Sequence, residues 1–268
     1  MVCQVPHSVF YTRCAPFGAI LGFSRLKKRS LITLGLVAAT ITAHAGSIQI
    51  SQSSYFNIAA TDTIVDSPSG SGIAPGYIQT SATETTSLGS GTALSQVQVD
   101  CEGTTLTGFS QSDVASSANN NKKFRSASLA SHDVTFDITA KSTVSYSLKA
   151  NATYTGSTDK GGKGWSADSS ASVSLYKWDG ASFSLVKSLY NDDAFSVTEI
   201  WDIGTYKLES ITGNSAMSWG GPTPDAITEA SAYARGSYVL SATPVPEPAS
   251  MTALAVGAVA LLRRRKKA

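Results

Sequence analysis

The chain has 268 residues with 21 Lys and Arg against 19 Asp and Glu, and this near balance conceals three zones. Residues 1–45 hold five bases and no acid, residues 248–268 hold five bases and no acid, and the stretch between holds 21 − 10 = 11 bases against all 19 acids, a formal −8. So acidic a body repels nucleic acid, and with Cys101 as its one cysteine it cannot close an intrachain disulfide, which excludes both a nucleic-acid partner and a cystine framework.

The first zone reads as a leader over residues 1–45. Arg25, Lys27, Lys28 and Arg29 form a positive region, Leu31 to Thr42 an uncharged apolar run, and Ala43-His44-Ala45 a small-x-small cleavage site. Signal peptidase is expected to cut before Gly46. Residues 1–24 supply no recognisable part of such a leader, and translation is expected to begin near Leu26. No small-residue lipobox precedes Cys14, which argues against a lipoprotein.

Residues 46–243 form the body. Apolar residues alternate with polar ones and helical periodicity is scarce, so the expected fold is all-β, an antiparallel β-sandwich of short strands, jelly-roll-like, flanked by the signal peptide and a short C-terminal transmembrane helix. Breaks are expected at Asp66 to Gly72, Asn119 to Lys123, Gly156 to Gly164 and Gly220 to Pro224, where glycine, proline, asparagine and serine cluster. Val97, Val99 and Cys101 share a face at period two, so the thiol reads as a small buried hydrophobe. His132 reads as an exposed loop residue at the mouth of a strand. That strand carries Val134, Phe136 and Ile138 on one face, and the next carries Val144, Tyr146, Leu148, Ala150 and Ala152.

A hairpin is expected around Trp178-Asp179-Gly180. A three-residue loop with Gly180 left-handed pairs Leu175 with Phe183 and Val173 with Leu185, giving one apolar face, with Tyr176 on the serine face and Trp178 at the turn. Exposed Tyr176 and Trp178 are the candidate sugar contacts, because aromatic rings stack on the apolar faces of sugars while keeping a polar edge wet. The alternative is that another element covers them. Tyr206 and Leu208 mark a further strand, and Ala232, Ala234, Gly236, Tyr238 and Leu240 a closing strand that runs into Pro244.

Side chains for chemistry are scarce. His132 is the body's one histidine, Gly156 to Lys163 lacks the spacing of a phosphate loop, and Asp192-Asp193 reads as turn chemistry rather than a calcium loop. No catalytic residue, cofactor or metal site is assigned, and the body is expected to be non-enzymatic.

From Val245 the chain reads Val-Pro-Glu-Pro, then an apolar run from Ala249 to Leu262, then Arg263-Arg264-Arg265-Lys266-Lys267. The fourteen residues from Ala249 to Leu262 make about 21 Å of helix against a hydrocarbon core of about 30 Å, a marginal and therefore temporary anchor in the inner membrane, with the bases held on the cytoplasmic side. This triplet, residues 244–268, resembles the PEP-CTERM sorting signal, and the order of strands from Val134 to Leu240 is weakly similar to the sandwich bodies of PEP-CTERM proteins. The resemblance implies an exosortase as processing partner, with Val245, Pro246, Glu247, Pro248, Arg263, Arg264 and Arg265 as its recognition elements. It also implies a cell-surface or extracellular destination and a link to exopolysaccharide and biofilm matrix. Two roles for the body follow as expectations, a structural or adhesive matrix protein or a carbohydrate-binding module acting on exopolysaccharide.

Overall fold

A computed structural model describes residues 47–67, 69–72, 76–159 and 161–246. The chain divides after His44, and the described residues belong to the second unit, Ala45–Ala268. The predicted signal peptide with Ala43, Ala45 and Gly46, the sorting residues Glu247, Pro248, Arg263, Arg264 and Arg265, and the predicted apolar helix lie outside the described residues.

Among the described residues, thirteen strands run in chain order: β1 (Ile48–Thr61), β2 (Val65–Asp66), β3 (Ser69–Gly72), β4 (Gly76–Thr86), β5 (Gly89–Glu102), β6 (Thr105–Ala118), β7 (Lys123–Ile138), β8 (Ser142–Thr158), β9 (Gly164–Trp178), β10 (Phe183–Tyr190), β11 (Asp193–Trp201), β12 (Gly204–Trp219) and β13 (Thr228–Pro244). Two antiparallel sheets result. The first has the order β10-β9-β12-β7-β1-β2, with β3 also on β1, and the second the order β11-β8-β13-β6-β5-β4. They face each other as a β-sandwich. Strand β6 lies beside β13, β7 beside β12, β8 beside β11 and β9 beside β10, so the later strands nest back on the earlier ones in reverse order.

Alternation dictates which residues face inward, since a strand turns successive side chains to opposite sides. Val134, Phe136 and Ile138 are buried, as are Val144, Tyr146, Leu148 and Ala150, and Ala232, Ala234, Gly236, Tyr238 and Leu240. The strands are longer than expected, up to 17 residues: β7 and β13 extend over buried serine, threonine and alanine rather than large apolar groups, and β8 extends through exposed residues paired with β13. Thus β7 begins at Lys123, and Ser126, Ser128 and Ala130 continue the inward face that Val134 announces. Likewise the expected break from Gly156 to Gly164 shrinks, with β8 continuing to Thr158.

The interior is therefore graded. One end packs Phe136, Leu148, Leu175, Leu208 and Leu240 with the stacked rings of Trp201 and Tyr206, whose centroids lie 4.3 Å apart. The other packs Ala59, Ala82, Ala93, Val114, Ala216, Ala230 and Ala232. Between the sheets, hydroxyls find one another: Ser110 meets Ser210 at 2.7 Å and Ser112 meets Thr212 at 2.9 Å. Asn214 donates from one sheet to the carbonyls of Ser112 and Ala232 in the other. Each such bond contributes about 1 kcal/mol net, and a lost partner costs more than that because a buried polar group is left dry.

His132 departs from expectation. It lies mid-strand in β7, 1 % exposed, with Nε2 2.9 Å from the Tyr238 hydroxyl. Small neighbours had disguised the inward face on which it sits. Cys101 is also less buried than its spacing implied, half-covered at the rim of the large-residue core.

Candidate functional site

The described part of the sorting segment is the end of β13. Its ladder with β8 runs to Pro244 opposite Ser142, and Val245 N then donates to the Lys141 carbonyl at 2.8 Å. That is the last backbone bond of β13 among the described residues. Pro246 has no N–H to continue the ladder and is exposed. The first strand starts beside this exit, because Ser47 Oγ donates to the Ala242 carbonyl at 2.5 Å and Thr139 N donates to the Ser47 carbonyl at 3.2 Å. Both ends of the described body meet at one pole.

The hairpin of β9 and β10 carries the two predicted sugar contacts, and its register differs from the expected one. The loop holds four residues, 179–182, closed by Asp179 N donating to the Ser182 carbonyl at 3.0 Å. Asp179 also accepts from the amides of Ala181 and Ser182, both at 2.8 Å, and those backbone donors hold its carboxyl below the usual carboxylate range. Gly180 is left-handed, as expected, with φ 103°. Phe183 now pairs with Trp178 and Leu185 with Tyr176, a bulge falls at Val186, and Leu189 rather than Leu185 pairs with Val173. The predicted pairs Leu175 with Phe183 and Val173 with Leu185 are therefore corrected. Side-chain capping by Asp179 favours the longer loop, and the bulge returns Leu189 to the core at 2 % exposure while Leu185 stays 58 % exposed.

Phe183 and Leu185 consequently join Tyr176 and Trp178 on the outer side. The Trp178 and Phe183 rings meet edge-on with centroids 5.1 Å apart, and Trp178 is 41 % exposed. Tyr176 is half-buried and donates to Glu209 Oε2 at 2.9 Å, while Lys207 Nζ lies 4.7 Å from its ring centroid. Burial and then the Glu209 carboxylate raise the Tyr176 phenol above its ordinary range. Lys207 and Glu209 alternate with Tyr206 and Leu208, so their outward direction was readable from the sequence. That they flank Tyr176 depends on the pairing of β12 with β9, in which Lys207 faces Tyr176.

The remaining candidates do not converge on chemistry. Asp192 accepts from Ala152 N at 3.3 Å and Asp193 from its neighbour Ala194 N at 2.8 Å, with Asn191 and Asp192 both at positive φ, which is turn geometry. Among the described residues, no three His, Cys, Asp or Glu side chains group as metal ligands, and no helix is long and apolar enough to cross a membrane.

The β-sandwich thus brings its closing strand, with exposed Pro246 after it, to the pole where the first strand begins. Residues 244–266 match the PEP-CTERM protein-sorting motif, so the chain carries that motif directly after β13. The motif implies processing by an exosortase, with export to a surface or extracellular destination. A comparison with curated proteins finds no match to the chain.

Proposed function

We propose that this is an exported, non-enzymatic surface or matrix protein that signal peptidase and an exosortase trim at its two ends, held transiently in the inner membrane by the tail and associated with exopolysaccharide in a biofilm. The observation that carries the reading is the handover at Val245. Backbone pairing ends there, the matched motif begins one residue earlier, and Pro246 is presented free of the sheet. A processing enzyme needs an extended, accessible peptide, and the two prolines flanking Glu247 favour that form. The nested order of β6 to β13 supports a jelly-roll reading of the body over residues 46–243.

The non-enzymatic reading rests on chemistry placed out of reach. His132 is sealed between the sheets, and Cys101 is a thiol that burial pushes toward its neutral form. Turnover of a polysaccharide or ester by the purified protein would overturn it. Mass spectrometry of both termini of the protein recovered outside the cell tests the sorting. A product starting near Gly46 and ending near Pro248 is expected, and one intact through Arg265, from a host with its export machinery, sinks the processing step.

A carbohydrate-binding role is the second reading, favoured by exposed Trp178 braced on Phe183 beside Tyr176. Binding to polysaccharide that disappears in Trp178→Ala supports it.

A further inference from the structure

The sheet opposite the aromatic hairpin has an outer side that no described element covers, and its residues form ordered rows across the strands. Registers place Gln79 of β4 beside Gln96 of β5, Gln96 beside Gln111 of β6, Gln111 beside Arg235 of β13, and Arg235 beside Asn151 of β8. These five side chains span four strand spacings, roughly 19 Å. A ring-bearing row lies on either side. Tyr233 stands between Asp113 and Thr153 in one, and Tyr77, Gln98, Phe109, Ser237 and Lys149 make up the other.

The amides are fixed by one another. Gln96 Nε2 donates to Gln79 Oε1 at 2.9 Å, and the Tyr77 hydroxyl donates to the same oxygen at 2.6 Å. Gln111 Nε2 donates to Asp113 at 2.8 Å, and its carbonyl accepts from Arg235 at 3.4 Å. The Arg235 guanidinium lies over the Phe109 ring, its Cζ 4.4 Å from the ring centroid. Groups held this way lose little freedom when a ligand arrives. Several remain open, since the Asn151 amide, the Tyr233 hydroxyl and the Gln96 carbonyl have no partner among the described residues. Two adjoining hollows of about 650 and 520 Å³ extend the face alongside Tyr233, sharing Thr92, Ala115, Thr155 and Ser231.

Composition decides the occupant. Outward apolar residues such as Leu94, Ala115 and Val239 are separated by polar ones, so the face lacks the contiguous apolar centre of a protein interface. Asp100, Glu102, Asp113 and Glu229 outnumber Lys149 and Arg235 there, on a body already at −8, so a polyanion is repelled. An uncharged polymer dense in hydroxyls, with rings that can lie on tyrosine, satisfies both constraints. We propose that the outer face of the β4-to-β8 sheet is a binding furrow for an uncharged polysaccharide chain lying along the Gln79–Gln96–Gln111–Arg235–Asn151 row. The site is separate from the hairpin and does not depend on the sorting reading.

Native gel electrophoresis of the full chain through hydroxyethyl cellulose, galactomannan, dextran and polygalacturonate tests it. At least one of the three neutral polymers is expected to retard the protein. Tyr233→Ala and Asn151→Ala should each weaken that retardation at least tenfold with thermal midpoints unchanged, while Trp178→Ala leaves it intact. No retardation by any neutral polymer, or retardation by polygalacturonate alone, overturns the proposal. Retardation lost only in Trp178→Ala also overturns it and moves the saccharide to the hairpin. The sorting reading is judged separately, from the termini of the secreted product.

Discussion

His132 and Tyr238 share a hydrogen bond of 2.9 Å across the interior from opposite sheets, 106 residues apart in sequence, with their ring centroids 5.5 Å apart. Burial drives the imidazole down to about 3 and the phenol upward, so both stay neutral at every physiological pH. The pair fastens the two layers together where the interior passes from large residues to small ones.

Because the folded-state pKa of His132 lies near 3 and the unfolded value near 6.5, its contribution is fully present above pH 6.5 and is lost as pH falls toward 3. Between pH 6.5 and 5 the loss should be about 1.5 kcal/mol. Asp113 and Asp133, raised by burial, act in the opposite sense at lower pH, so the upper part of the window isolates the histidine. Urea unfolding at pH 7, 6 and 5 should show this slope in the parent protein and a flatter one in His132→Gln. An equal slope in both removes the histidine as its cause.

Gly108 makes room for Tyr238. A methyl group there would overlap the tyrosine hydroxyl and crowd the Gln98 carbonyl, whereas one at Gly213 meets only ordinary contacts at 3.5 and 3.6 Å. Gly108→Ala should therefore cost about 1–3 kcal/mol, as overpacking does, and Gly213→Ala should be tolerated. Thermal denaturation of the two variants side by side checks the contrast.

The hairpin register makes two leucines unequal. Leu189→Ala should cost about 2–5 kcal/mol because it empties a core position, and Leu185→Ala no more than about 0.5 kcal/mol because the side chain faces water. Comparable losses from both substitutions in chemical denaturation would instead favour the shorter loop.

The body should not need the tail to fold. Among the described residues the last backbone bond is at Val245, so ending the chain at Pro246 removes none of the described ladder, and the unfolding free energy should stay within about 0.5 kcal/mol of the parent. A larger loss in calorimetry would reveal packing of residues 247–268 on the sandwich.

Where large apolar residues alternate, the sequence was legible. Val134 to Ile138, Val144 to Ala150 and Ala232 to Leu240 face inward as their spacing requires, and the closing strand does run into Pro244. Where inward residues are serine, alanine or threonine the signal faded, which is why β7 seemed to begin after His132. Loop length and bulges escape any periodic reading: the four-residue loop put Phe183 and Leu185 outward, and the bulge at Val186 returned Leu189 to the core. The amide row was invisible for another reason. Its members come from five strands, and only the pairing sets them side by side.

The bond from Ser47 to the Ala242 carbonyl has an architectural consequence. With residues 47 and 246 at one pole, chain that continues from either end departs from the same side, and strands of up to 17 residues carry the opposite pole roughly 55 Å from it. On the sorting reading proposed above, a cut beyond Pro246 releases the body without unzipping any strand among the described residues.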